Sequence, residues 1–320
     1  MITYADMLRD YKAYSGVKYC FHPEKCKCSP NIVKAHSVQK ERVLAQLEEL
    51  VNGNNLIYTL DEVADNDFTI NGLNPIGKKK ASIFTGFCGY HDKFLFKSIE
   101  DREFLGSTEQ LFFFAYRAFA HGYHQLLESS KYWQSNSPLV RLYPKHYSNA
   151  QITGINFRLS GFDKYKTILD NSVVKSDFDV LRHHYRIVKP FVPLASCSVL
   201  SPFYTYRNIF LNPAIHHSYV ILNVIPDTDQ TIISLSNFRA DKVGSILFEE
   251  FKTLTDDEFT EAISSLILYC TTNTFFSPSF WNRIPDMMKA AIYDDINFSV
   301  YHGDKIESFF KSKFNFFTNR

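Results

Sequence analysis

Cys20-Phe21-His22-Pro23-Glu24-Lys25-Cys26-Lys27-Cys28, answered much later by Phe87-Cys88-Gly89-Tyr90-His91-Asp92, is the pattern around which this chain is read. A structural zinc site takes four soft or borderline ligands in a tetrahedron. They commonly come as two close pairs, because one tight turn aims two side chains at one ion. Cys88 and His91 form such a pair. Cys20 with Cys26 or Cys28 forms the other, so three cysteines compete for two places. The flanking lysines favour the deprotonated thiolates that metal binding requires. Only six cysteines occur in 320 residues, and their N-terminal clustering points to metal rather than to a disulfide framework.

Outward from this pattern, the composition is that of a folded chain with a large core: 45% hydrophobic and 22% charged residues exclude disorder and collagen-like repeats. Lys plus Arg number 35 against 34 acids, a net charge of +1, so no chain-wide field attracts polyanions. Charge is nevertheless uneven. Lys12 to Arg42 carries seven cations against two acids, Lys78-Lys79-Lys80 precedes the second motif, and Asp241 to Glu261 carries seven acids against two lysines. The N-terminus lacks the charged-then-apolar form of a leader. No apolar run approaches the roughly 20 residues of a membrane span, and a reducing cytoplasm is the expected compartment.

Periodicity predicts an amphipathic helix after Ser37, through Val43, Leu44, Leu47, Leu50 and Val51, stopped at Asn52-Gly53-Asn54. A short strand at Leu56–Leu60 and a turn-rich loop at Asn71–Gly77 follow, so the segment from Lys40 to Cys88 reads as an insertion between two halves of one site. Ser107-x-x-Gln110 has the form of a capping box opening a long buried helix over Leu111–Tyr132. Pro138 and Pro144 break the pattern and suggest a boundary near 135–150, dividing a zinc-binding module with its long helix, 1–135, from an α+β domain of unassigned role, 150–320. Asp177–His184 reads as helix. Ser218–Val224 and Gln230–Leu235 read as a hairpin across Pro226–Asp229. A second capping box at Thr255–Glu258 opens a helix with Phe259, Ile263, Leu266, Ile267 and Cys270 on one face. The expected class is α+β: a zinc-stabilised N-terminal module, a long central helix and a C-terminal α+β region with an antiparallel hairpin.

A cysteine knuckle, then a His ending a short strand, then a Cys-x-x-His with an acid at a helix start resembles the order of parts in HNH nucleases of the treble-clef, ββα-metal fold, through Cys20, Cys26 or Cys28, His36, Cys88, His91 and Asp92. The resemblance implies His36 as the general base that activates water. It implies Cys88 and His91 as completing the zinc knuckle and Asp92, where the family has His, as a ligand of catalytic magnesium. Ala35 stands where that family carries a metal-binding or acidic residue. The Ala-His-Ser and Phe-Cys-x-x-His-Asp segments together also resemble a group of bacterial proteins without assigned chemistry. The function implied is a metal-dependent endonuclease, of the kind found among prokaryotic defence effectors. The alternative is a non-catalytic structural-zinc module that grips nucleic acid through Lys12–Arg42 and Lys78–Lys80, or a protein partner through the acidic C-terminal region. Arg117 and His124 match the loose spacing of HEPN ribonucleases, and Arg182-His183-His184-Tyr185-Arg186 offers a phosphate-contacting helix end. No phosphate loop, dinucleotide fingerprint or Gly-x-Ser-x-Gly elbow is present.

Overall fold

Antiparallel pairing organises every strand among the described residues, which in this computed structural model are 2–60, 69–271, 273–302 and 307–318. The strands are β1 (Ile32–His36), β2 (Glu49–Val51), β3 (Asn54–Thr59), β4 (Asn74–Ile76), β5 (Ile83–Cys88), β6 (Leu181–Val188), β7 (Leu194–Leu200), β8 (Val220–Asp227), β9 (Gln230–Phe238) and β10 (Thr274–Phe276). The helices are α1 (Tyr4–Ser15), α2 (Ala45–Leu47), α3 (Gly89–Leu95), α4 (Lys97–Glu100), α5 (Thr108–Trp133), α6 (Lys145–Lys175), α7 (Gly244–Thr253), α8 (Asp256–Cys270), α9 (Pro278–Arg283) and α10 (Asp286–His302). The class is α+β with a long central helix, as expected. An eight-stranded sheet runs β2-β3-β10-β7-β8-β9-β6, with β4 on β3, and β1 pairs with β5 in a separate two-stranded ribbon.

The sheet is covered on both faces, and the period of two in its central strands says how. Ile221, Ile225, Ile232 and Phe238 join Phe112 and Phe119 of α5 and Phe162 and Tyr165 of α6 in one core. Val220, Leu222, Val224, Ile233 and Leu235 join Leu247, Phe248 and Phe251 of α7 and Phe259 and Ile263 of α8 in the other. The first core draws on both sides of the 135–150 connection, which joins α5 to α6. Phe119 is fully buried, with its ring centroid 4.6 Å from Phe162 and 5.5 Å from Phe238. Phe119→Ala is expected to cost about 3–5 kcal/mol, read as a lowered denaturant midpoint at an unchanged m-value.

Both capping signals start helices where expected. Thr255 and Glu258 exchange a full capping box. Ser107 Oγ accepts from Gln110 N at 3.2 Å, but the Gln110 side chain turns away, its Oε1 accepting from Leu105 N at 2.8 Å. Removing the Thr255 cap, in Thr255→Ala, is expected to cost about 1 kcal/mol, measured the same way. Phe259, Ile263, Leu266 and Ile267 are buried as expected; the side chain of Cys270 lies outside the described residues. The β8–β9 hairpin forms with Asp227 facing Gln230, one residue pair tighter than Pro226–Asp229 suggests.

Two helical expectations are corrected. The pattern from Val43 to Val51 holds helix only through Leu47: a π-type turn at Lys40–Leu44 runs into α2, and Leu50 and Val51 belong to β2. Asn52 and Gly53, at φ 51° and 79°, make the β2–β3 turn, so this Asn-Gly is a hairpin signal rather than a helix stop. The segment 177–184 is a short 3₁₀ turn at Phe178–Val180 followed by β6. Arg182-His183-His184-Tyr185-Arg186 therefore alternates across a strand. The Arg182 and Arg186 guanidiniums lie over Phe248 and Phe259, at 5.4 and 4.4 Å. The acidic segment is also partly spent inside the fold: buried Glu250 accepts from Tyr206 N at 2.7 Å and buried Asp241 from Tyr219 N at 2.7 Å. No helix among the described residues is long and apolar enough to cross a membrane.

Candidate metal centre and the His36 ribbon

The residues 17–21 run alongside β5, Tyr19 N donating to Thr85 O at 3.1 Å and Phe21 N to Gly86 O at 2.7 Å. This pairing sets Cys20 beside the end of β5, where Cys88 stands. The chain then turns over a 3₁₀ segment, Lys25–Lys27, where Lys25 reaches back to donate to Cys20 O and lies over the Tyr19 ring at 4.3 Å. Cys26 is on that turn and exposed, outside the cluster, whereas Cys28, the extended residue that follows, points back. The choice between Cys26 and Cys28 is thus made by the turn. Cys88 is the N-cap of α3, and one turn of helix brings His91 over it.

Cys20, Cys28, Cys88 and His91 offer ligand atoms that all lie within 4.8 Å of one another, the one such group among the described residues. His91 Nδ1 is 3.4 Å from Cys20 Sγ, 3.6 Å from Cys28 Sγ and 3.2 Å from Cys88 Sγ. In a tetrahedron with Zn–S of about 2.3 Å and Zn–N of about 2.0–2.1 Å, sulfur and nitrogen stand about 3.6 Å apart. The donor set and its spacing therefore fit a metal ion of that kind. Its electrostatics agree. Burial and the neighbouring Cys20 push the Cys28 thiol up to about 12. Burial raises Cys88 as well, but hydrogen bonds from His91 and Ser29 outweigh it and hold the thiol at about 7. Three thiols this close ionise together only around a cation. Burial keeps His91 neutral, as a ligand must be.

His22, two residues after Cys20 and given no role from sequence, stacks on the His91 ring at 3.9 Å and 17°. It is itself buried, and that burial, with His91 beside it, lowers its pKa to about 4. The stack fixes the plane of the His91 ring.

His36 ends β1 at the opposite end of the ribbon: Ile32 faces Cys88, and His36 faces Ile83. Its Nδ1 lies 2.9 Å from Ala81 O. A carbonyl only accepts, so Nδ1 carries the proton and Nε2 keeps its lone pair. Burial lowers the pKa of His36 from 6.5, opposed by the bond to Ala81. Ala35, the neighbour in the strand, points into the core, 2% exposed. Asp92, on α3, is raised by burial and lowered by Arg117. Arg117 binds Glu100 at 2.5 Å and lies over Phe96 at 3.9 Å. The charges of this pair act on both His36 and Asp92, opposing the burial of Asp92 through Arg117. His36 and Asp92 do not join a second three-ligand cluster among the described residues.

The HEPN-like pair is not assembled. Arg117 serves Glu100, while His124 Nε2 lies 3.0 Å from Val17 O. His121, one turn from Arg117, packs edge-on to Phe84 at 5.2 Å. Burial, with His124 nearby, lowers its pKa from 6.5 to about 3. Between those two values the unfolded chain takes up a proton that the folded chain refuses, so stability falls as pH drops through this window. His121→Phe is expected to flatten the loss of stability between pH about 6 and about 4, measured by denaturation at both values.

Lys78-Lys79-Lys80 stand by Ala81, whose carbonyl meets His36, rather than at the knuckle. Lys78 pairs with Glu48 at 3.1 Å, and Lys79 and Lys80 are exposed at the His36 end, next to Ala81. Cys197 is buried in β7, its thiol pushed by burial up to about 12, and has no nucleophilic setting. No family model, curated protein or solved structure matches this chain, so its chemistry rests on the site geometry alone.

Proposed function

We propose that the chain is a metal-dependent nuclease of HNH-like type, with zinc held by Cys20, Cys28, Cys88 and His91, His36 as general base and Asp92 toward a catalytic magnesium. One observation carries the reading: a ribbon and helix joined by the metal cluster at one end present, at the other, an imidazole whose Nδ1–H is tied to Ala81 O and whose Nε2 is left to accept a proton. Zinc is favoured because three thiols and one imidazole, gathered within 4.8 Å of one another, are the donor set of a structural site. A bound magnesium would neutralise charge on the cleaved phosphate, and such ions keep several waters, needing only one or two carboxylates. Nε2 would take the proton from water as its oxygen attacks phosphorus. The bridging P–O bond then breaks, and the leaving oxygen takes a proton from solvent.

A non-catalytic zinc module is the second reading, favoured by Ala35, which supplies no ligand beside His36. Incubating the purified protein with single- and double-stranded DNA and RNA, with magnesium and with chelator, separates the two. Magnesium-dependent cleavage supports the nuclease; intact strands under every condition reject it. Exposed Lys79 and Lys80, just before Ala81, are cations beside His36 that would meet phosphate. Charge reversal at both is expected to weaken binding and to reduce the salt slope by about 0.7–0.9 for each phosphate no longer neutralised, whereas Lys78→Glu adds little beyond breaking its pair with Glu48. Filter binding at several salt concentrations reads both effects.

A further inference from the structure

The outward face of α3 carries two aromatic rings that no core requires. Tyr90 and Phe94, four residues apart on the helix, stand 46% and 64% exposed. Their rings are parallel, 5.7 Å apart at 6°. Lys93, three residues after Tyr90 on α3, and Lys97, which opens α4, are exposed, and neither has an ion pair among the described residues. Lys27, also exposed, is paired with Glu24 at 2.9 Å. Exposed apolar residues are ordinary when single. Here they are a stacked pair with unpaired Lys93 between them, on the helix that supplies His91 and Asp92, and with Lys97 at the start of the next.

We infer that this face is a stacking platform for unpaired nucleobases, so that the substrate class is single-stranded nucleic acid. The inference rests on the nuclease reading of the same ribbon and helix and specifies its substrate. An open Phe94 ring accepts the face of any base, while Lys93 and Lys97 reach the adjoining phosphates. Duplex bases are already stacked on one another and offer no face, so a duplex meets only the lysines. Positive charge on the rim and aromatic surface at its centre complement a flexible polyanion whose bases are apolar plates.

The test is fluorescence anisotropy of the full-length, metal-loaded protein, without magnesium, on three labelled probes: an oligothymidine of about twelve nucleotides, an abasic strand of equal length and a duplex of equal length. Phe94→Ala and Tyr90→Ala are each expected to weaken oligothymidine binding by about tenfold and to leave abasic and duplex binding unchanged. Phe94→Trp is expected to preserve the affinity. Lys93→Ala with Lys97→Ala is expected to weaken oligothymidine and abasic strands alike and to lower the salt slope by about 0.7 per phosphate. Both rings are exposed, so metal content and melting temperature should not move. Phe94→Ala that leaves oligothymidine binding intact, or weakens the abasic strand equally, overturns the platform. So does tight duplex binding with the same sensitivity to Phe94→Ala. Absence of cleavage when magnesium is restored, with base-dependent binding intact, overturns the nuclease reading and leaves the platform standing.

Discussion

Cys88→Ser is expected to abolish stoichiometric zinc and to destabilise the N-terminal half of the chain. Serine is a poor zinc ligand, and the change leaves Cys20 and His91, both buried, without the ion that gathers them. Structural zinc contributes apparent free energies of about 10–16 kcal/mol in isolated finger peptides at neutral pH. In this larger chain the ribbon also packs on α5 through Phe87, 6.2 Å from Tyr116, so a bound ion would share its work with a core. A loss on the order of 5 kcal/mol or more is the expected effect. Elemental analysis and thermal melting of the purified proteins measure it. Cys26→Ser is the control: the thiol is exposed and outside the cluster, and one equivalent of metal with an unshifted melting temperature is expected. Unmutated protein without metal, melting together with Cys88→Ser, would reduce the cluster to packed thiols.

On the proposed nuclease reading, His36→Ala should lower cleavage by about 10²–10⁴-fold while metal content and fold persist, since His36 ends its strand and lies far along the ribbon from Cys88. The pH profile adds a second readout. Burial lowers the pKa of His36 below 6.5, so the imidazole is neutral at pH 7 and becomes charged only at lower pH. The acid limb of kcat/KM is therefore expected below 6.5 in the unmutated protein and is expected to vanish in His36→Ala. Replacing Ser82, whose Oγ stands 3.4 Å from His36 Nδ1, should have a smaller effect, because Ala81 O holds the ring without it. Cleavage by His36→Ala at the unmutated rate would leave the ribbon as scaffold only and move the chemistry elsewhere.

The ligand types were legible because Cys88 and His91 lie one helical turn apart, a distance that spacing alone specifies. Cys20 was legible by composition. Cys28 against Cys26 was not, because the choice depends on which side of a 3₁₀ turn faces the ion. His36 was marked by resemblance, but the partner strand that orients it lies beyond an insertion that itself joins the other sheet, β3 pairing with β10 at Thr59 and Phe275. The Arg117–Glu100 pair joins α5 to α4. Its relation to His36 and Asp92 has no counterpart in local spacing.

What the sequence determined by itself is what neighbours in the chain determine among themselves. The caps at Ser107 and Thr255, the β8–β9 hairpin and the apolar face of α8 all arise from residues within a turn or two of one another. Where local patterns compete, the tertiary structure decided. Val43–Val51 satisfies a helical period, yet Asn52 and Gly53 at positive φ fold Leu50 and Val51 onto β3. Leu181–Val188 became strand because β9 offers it a complete antiparallel edge. The metal cluster joins Cys20 to His91, and the His36 ribbon joins β1 to β5 across the insertion. Such contacts carry the entropy cost of closing a long loop, and only the packing of the whole core against α5 offsets it.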